Sequence, residues 1–179
     1  MSSPTKAVLP LPSAHFLVWE TNLPTTEVLA RLDFALNKDG ATGFLPHVNE
    51  EMKTQQELVD KIHSVIDGHG NFVFFNTIPL HKLTGFRTGD PNPPRIVVYT
   101  FGNPLYAQRV IKLNPIAAAN IPPRIVVVEN ENKDGTRVAY NLPSSIMMDP
   151  FGKEDEELKT ELLGLDKKIE ELVLEIIKA

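Results

Sequence analysis

The stretch Arg95 to Pro143, RIVVYTFGNPLYAQRVIKLNPIAAANIPPRIVVVENENKDGTRVAYNLP, constrains the fold more tightly than any other part of the chain. Arg95 to Phe101 is β-branched and aromatic, which favours a strand. Gly102-Asn103-Pro104 turns that strand into a helix. Asn103 suits an N-cap, and Pro104 suits the first helical position, where a missing N–H is tolerated. Leu105, Ala107, Val110, Ile111 and Leu113 carry the helix, Pro115 ends it, and Ile116 to Ile121 reads as a further helical turn. Pro122-Pro123 forces extension. Two strands, Ile125 to Glu129 and Thr136 to Tyr140, follow as a hairpin, with Asp134-Gly135 as the turn signal.

The preceding half supplies elements that complete a sheet. His15 to Thr21 reads as a strand bounded by Pro24. Thr25 or Thr26 is placed to cap a helix carrying Val28, Leu29, Leu32, Ala35 and Leu36, with Gly40 placed to end it. Gly43 to His47 reads as a short strand or an extended linker. Thr54 and Glu57 form a capping box for a second helix with Leu58, Ile62, Val65 and Ile66 on one face. Asn71 to Ile78 is a strand whose run of aromatics points to burial on both sides or to a pocket wall. His81 to Pro94, with Gly or Pro at five positions, reads as a long loop of the kind that carries function. It also holds His81, Lys82 and Arg87.

After Pro143 the chain reads as a linker and then a helix. Leu158, Leu162, Leu165, Ile169, Leu172 and Ile176 alternate spacings of four and three, a heptad seam. Such a helix either covers its own sheet or pairs with a copy. The expected organisation is a flexible tail over residues 1–14, one domain over residues 15–150, and an amphipathic helix over residues 151–179. The expected fold is an α+β two-layer sandwich: a mostly antiparallel sheet of about five strands, with helices on one face.

Composition excludes several chemistries. There is no cysteine, so disulfides, thiol catalysis and thiolate metal sites are ruled out. A net charge of −5 argues against nucleic acid or an anionic membrane as partner. The Pro-broken N-terminal residues lack a signal-peptide pattern, which gives the expectation of a cytoplasmic protein. The five histidines are scattered and form no H-E-x-x-H or carboxylate–histidine cluster, so no metal is expected. No G-x-G-x-x-G, Walker or G-x-S-x-G motif occurs, and no cofactor is expected.

Gly102-Asn103-Pro104, Ala107, Pro115, Pro122-Pro123 and Asn141-Leu142-Pro143 together resemble the signature half of the domain-of-unknown-function family numbered 302, most closely over Phe101 to Ser144. The resemblance implies a compact two-layer α+β fold that often self-associates, hence a homodimer, and implies no particular reaction. Residues 46–94 are longer than a minimal member needs, and the terminal helix looks like an addition.

One stretch remains as a candidate site. A helix N-terminus presents N–H groups and partial positive charge to an anion. Gly102, Asn103, Thr100 and Tyr106 therefore form an expected ligand site, with Lys82 and Arg87 closing over it from the long loop. The leading expectation is a small anion- or carboxylate-binding or sensing domain. An enzyme using His69 or His81 as acid/base at the same place, and an interaction module acting through the terminal helix, are the alternatives.

Overall fold

The computed structural model describes residues 6, 14–44, 46, 48, 52–151 and 155–178. The expected tail over residues 1–14 lies outside the described residues, apart from Lys6 and Ala14. Five antiparallel strands form one sheet in the order β1-β5-β4-β3-β2. They are β1 (Phe16–Thr21), β2 (Val73–Pro79), β3 (Ile96–Gly102), β4 (Arg124–Glu129) and β5 (Thr136–Asn141). Strand side chains alternate between faces. Val97, Tyr99 and Phe101, Ile125 and Val127, and Val138 and Tyr140 are buried on one face, which the helices cover. The expected α+β sandwich is the observed one.

Thr25–Ala35 forms α1, which buries Val28, Leu32 and Ala35. Pro24 is its N-cap and no side chain caps it, contrary to the expectation for Thr25 or Thr26. Thr25 is needed elsewhere: its hydroxyl meets Thr136 Oγ1 at 2.8 Å in a buried pair. Thr136 Oγ1 donates its one proton to the Leu23 carbonyl at 2.8 Å, so Thr25 is the donor to Thr136. Nor does Gly40 end this helix. Asn37 adopts the left-handed conformation after α1 and opens a short helix, α2 (Lys38–Ala41). Asn37 Oδ1 accepts from the Gly40 N–H, and its Nδ2 donates to the Val65 carbonyl on the next helix. Phe44 and Pro46 are helical rather than extended, while Leu45 and His47 lie outside the described residues.

The next helix, α3 (Gln55–Ile66), carries the expected capping box, with Thr54 Oγ1 accepting from Glu57 N and Glu57 accepting from Thr54 N. The backbone N–H groups of Lys53 and Thr54 hold the exposed Glu57 carboxyl below its ordinary range. The expected loop after His81 is half helix: α4 spans His81–Thr88 and ends at Gly89 in the left-handed conformation. Thr84 and Thr88 donate their hydroxyls back to the carbonyls of His81 and Thr84. Nothing in α4 is buried, which is why no apolar periodicity announced it.

Asn103 and Pro104 open α5 (Pro104–Leu113), and a 3-10 turn follows over Pro115–Asn120. In the hairpin, Lys133 rather than Asp134-Gly135 takes the left-handed conformation. Gly135 serves a different purpose, because a Cβ there would stand 2.6 Å from the Thr21 carbonyl. The expected linker after Pro143 begins with another short helix, α6 (Pro143–Met147). Asn114 Nδ2 and Asn120 Nδ2 donate to the carbonyls of Met147 and Ile146 and fix it in place.

The last helix, α7 (Glu156–Ile177), starts at Asp155, whose carboxylate accepts from Leu158 N. All six seam residues from Leu158 to Ile176 are buried in this chain's own core. Its seam is therefore occupied within one chain. At its far end Thr21 Oγ1 donates to the Ile177 carbonyl and Arg31 donates to the Lys178 carbonyl.

Replacing Thr136 by Val strands the Leu23 carbonyl and the Thr25 hydroxyl together, and should cost about 1–3 kcal/mol in urea unfolding. Thr25→Val removes only the outer donor and should cost less; equal losses would refute this hierarchy. A second prediction concerns Asp166, buried on α7, which accepts from Ser144 N at 2.9 Å. Burial pushes its carboxyl up, against the opposing pull of the Ser144 bonds. A carboxyl raised in the fold contributes stability at low pH that is lost as pH rises through the raised value. Asp166→Asn keeps an acceptor for Ser144 and cannot ionise. It should flatten the stability profile as pH rises above about 4, the ordinary carboxyl value, and leave the variant the more stable form at higher pH. Denaturation midpoints across that range check this, and a variant with an unchanged slope would contradict it.

Candidate functional site

The β3–α5 turn is built as its sequence implies. Asn103 Oδ1 accepts from Leu105 N at 3.0 Å, and its Nδ2 donates to the Asn71 carbonyl at 3.1 Å. The Asn103 carbonyl accepts from Tyr106 N and Ala107 N. Pro104 has no N–H. The first four helical residues therefore have no free donor left. A cap made this completely holds the helix start and leaves no backbone N–H for an anion.

Beside the turn lies a different feature, an apolar cavity of about 180 Å³. Gly102, Asn103, Pro104, Tyr106, Ala107 and Val110 form one side. Phe75, Ile121, Pro122, Pro123, Met147 and Leu165 form the rest. Each wall has a local cause. The irregularity between Phe74 and Asn76 breaks the alternation of β2, so Phe75 is free to face the cavity. Pro122-Pro123 and Met147 come from the connections before β4 and within α6. A side chain at position 102 would project toward Phe75, whose ring lies 3.1 Å from the place of a Cβ. Glycine keeps that corner open.

Charge stands at the edge of this cavity and not in it. Lys168 Nζ lies 5.6 Å from the centroid of the Tyr106 ring, and Arg109 Cζ lies 5.3 Å from it. Arg109 is paired with Glu161 at 3.2 Å. Lys168 is half-buried, reaches Asn71 Oδ1 at 3.4 Å, and has no carboxylate within ion-pair distance among the described residues. A cation above a tyrosine face is stabilised by the ring, yet its charge remains available to a ligand.

The other expected residues are elsewhere. Thr100 points to the opposite face of the sheet, where its hydroxyl donates to the Asn76 carbonyl and it borders a groove with Asn120, Arg124 and Asn141. Lys82 and Arg87 lie on α4, beyond the Ile96 end of β3. That end is about 20 Å from Gly102, from six steps of about 3.3 Å. They do not close over the turn. Lys82 instead borders a wider cleft of about 800 Å³ with His81, Phe86, Arg95, Leu29 and Val97. Arg87 lines none of these spaces.

Among the described residues no histidine or carboxylate lines the cavity at Gly102. His69 Nδ1 is bonded to the Phe34 carbonyl and His81 Nδ1 to the Ile96 carbonyl. Tyr99 donates to Asp33 at 2.6 Å, and Lys38 pairs with the same carboxylate at 3.0 Å. Burial first, and then Asp33, push the Tyr99 phenol well above the ordinary tyrosine range, so it acts as a fixed donor. Among the described residues no three metal-ligating side chains gather, and no helix is long and apolar enough to cross a membrane.

Lys168, Phe75, Met147 and Leu165 escaped the sequence reading. Lys168 has one local signal: it follows Leu165 by three positions and so sits beside the buried stripe of α7.

Comparison with known proteins places the fold. No curated protein matches the chain. The crystal structure of an uncharacterized conserved protein DUF302 from Bacillus stearothermophilus is similar, with a TM-score of 0.57 and 15% identity over 90% of this chain and 97% of that one. The family described as Domain of unknown function DUF302 matches residues 48–176. That span takes in the long segment before β3 and nearly all of α7, which is therefore no addition to the family's pattern. With more than half of its length matched by the family model, and with the same fold in a solved member, the chain belongs to the DUF302 family.

Proposed function

We propose that this chain is a small-ligand-binding domain whose ligand is a carboxylate on a compact apolar body. The observation that supports the reading is the apolar cavity at Gly102 with the Lys168 ammonium, which pairs with no carboxylate among the described residues, beside its Tyr106 wall. An apolar cavity of about 150 Å³ accepts a benzene-sized group, so a cavity of about 180 Å³ suits one aromatic ring or a short branched alkyl group. Burying such a body is favourable at about 25 cal/mol per Å². The carboxylate then meets Lys168 and the Asn71 side chain at the edge. The notion of a bare anion held by the helix start has less to support it, because the Asn103 cap uses the donors. Binding of this kind serves sensing or carriage as readily as chemistry, and among the described residues no histidine or carboxylate lines the cavity.

Calorimetric titration with benzoate, hexanoate and inorganic phosphate tests the reading. Benzoate or hexanoate should bind and phosphate should not. Lys168→Met should weaken the carboxylate about tenfold or more, the scale of one charge-assisted hydrogen bond. Ala107→Leu, which fills the cavity from a helix that tolerates leucine, should abolish binding while the melting temperature holds. Absence of binding by both carboxylates, or an unchanged affinity in Lys168→Met, would reject the proposal.

A further inference from the structure

The sheet has a second face, and none of the described helices covers it. Its side chains fall into three rows across the strands. The central row is apolar from edge to edge: Val18, Ala139, Val126, Val98 and Ile78 are register neighbours in turn. Val18 is 53% exposed and Ile78 45%. On one side of it Val128 and Ile96 extend the apolar area, with Arg137 and Glu20 at the end of that row. On the other side Thr100 and Asn76 stand with Arg124 and Asn141, and Phe16, 61% exposed, occupies the corner. The pattern is an apolar centre with a polar border, the anatomy of a protein interface.

We propose that this face binds a second copy of the chain, sheet against sheet. Three observations favour that occupant. The face is a run of mostly β-branched side chains, the surface that packs on another sheet at about 10 Å. Its size is adequate: five strands about 4.8 Å apart and three rows about 6.8 Å apart project about 500 Å² per copy, so a pair buries at least about 1,000 Å², the lower bound for a specific interface. Its charges also accept a two-fold axis. An axis along the central row lays that row on its copy and sets Arg124 over Val128, Arg137 over Asn141 and Glu20 over Phe16, so that no charge lies directly on a like one. An axis along β4 would instead oppose Arg124 to itself. The seam of α7, the other surface able to pair copies, is occupied inside the chain.

Sedimentation of the whole chain between 1 and 100 µM decides the matter. The wild type should sediment near twice the 20.0 kDa chain mass. Val18→Lys and Ile78→Lys, each at an exposed position, should weaken the dimer about 100-fold or more, and circular dichroism melting should show both variants folded. Leu163→Lys, on the outward side of α7, should leave the dimer intact. A wild type that remains monomeric at 100 µM overturns the proposal, whether the face then meets another part of the chain or a different protein. Persistence of the dimer in both sheet variants, or its loss in Leu163→Lys alone, overturns it as well.

Discussion

Everything on the inner side of the sheet depends on one contact, the apolar stripe of α7 against it. Leu158, Leu162, Leu165, Ile169, Leu172 and Ile176 are buried together with the inward residues of β3, β4 and β5. Each such side chain contributes about 1.5–3 kcal/mol by leaving water. The same helix packs on α1, α5 and α6, so it joins elements that otherwise share little. It supplies Asp166 to the start of α6 and Leu165 to the wall of the cavity. One turn after Leu165 it carries Lys168 past Tyr106. Structural and candidate binding roles thus come from adjacent positions of a single helix.

The elements legible in the sequence were those whose cause is local. The capping box at Thr54 and Glu57, the Asn103 cap before Pro104, the 3-10 turn after Pro115 and the heptad stripe each depend on residues within one or two turns of one another. α4 reads as loop because Gly and Pro crowd its segment, and because a helix with no buried face has no period to detect. The bond of Thr25 and the turn at Asn37 are illegible for a different reason: their partners, Thr136 and Val65, lie 111 and 28 residues away.

The candidate site was half legible on the same grounds. Gly102, Asn103 and Tyr106 belong to one turn and do share a cavity. Thr100 was placed with them by proximity in sequence, but Val97, Tyr99 and Phe101 hold the inner face and leave the residues between them on the other. Lys82 and Arg87 could reach the turn only from a free loop, whereas both stand on α4. The antiparallel pairing of β2 with β3 carries the end of β2, and hence α4, to the opposite end of the sheet. A one-dimensional pattern contains the charges but not that distance.

The position of β1 bears on how the chain comes to be folded. It is an edge strand that pairs only with β5, and Thr21 at its end is tied to Ile177, 156 positions further on. Its partners are thus made long after it. During synthesis the strand and its single tryptophan wait without a sheet to join, while β2, β3 and β4 can already pair. Contacts so distant in sequence close slowly, because the loop entropy is met before the pairing rewards it. The fluorescence of Trp19 should therefore report the last step of assembly, the moment when both ends of the described fold lock onto one another.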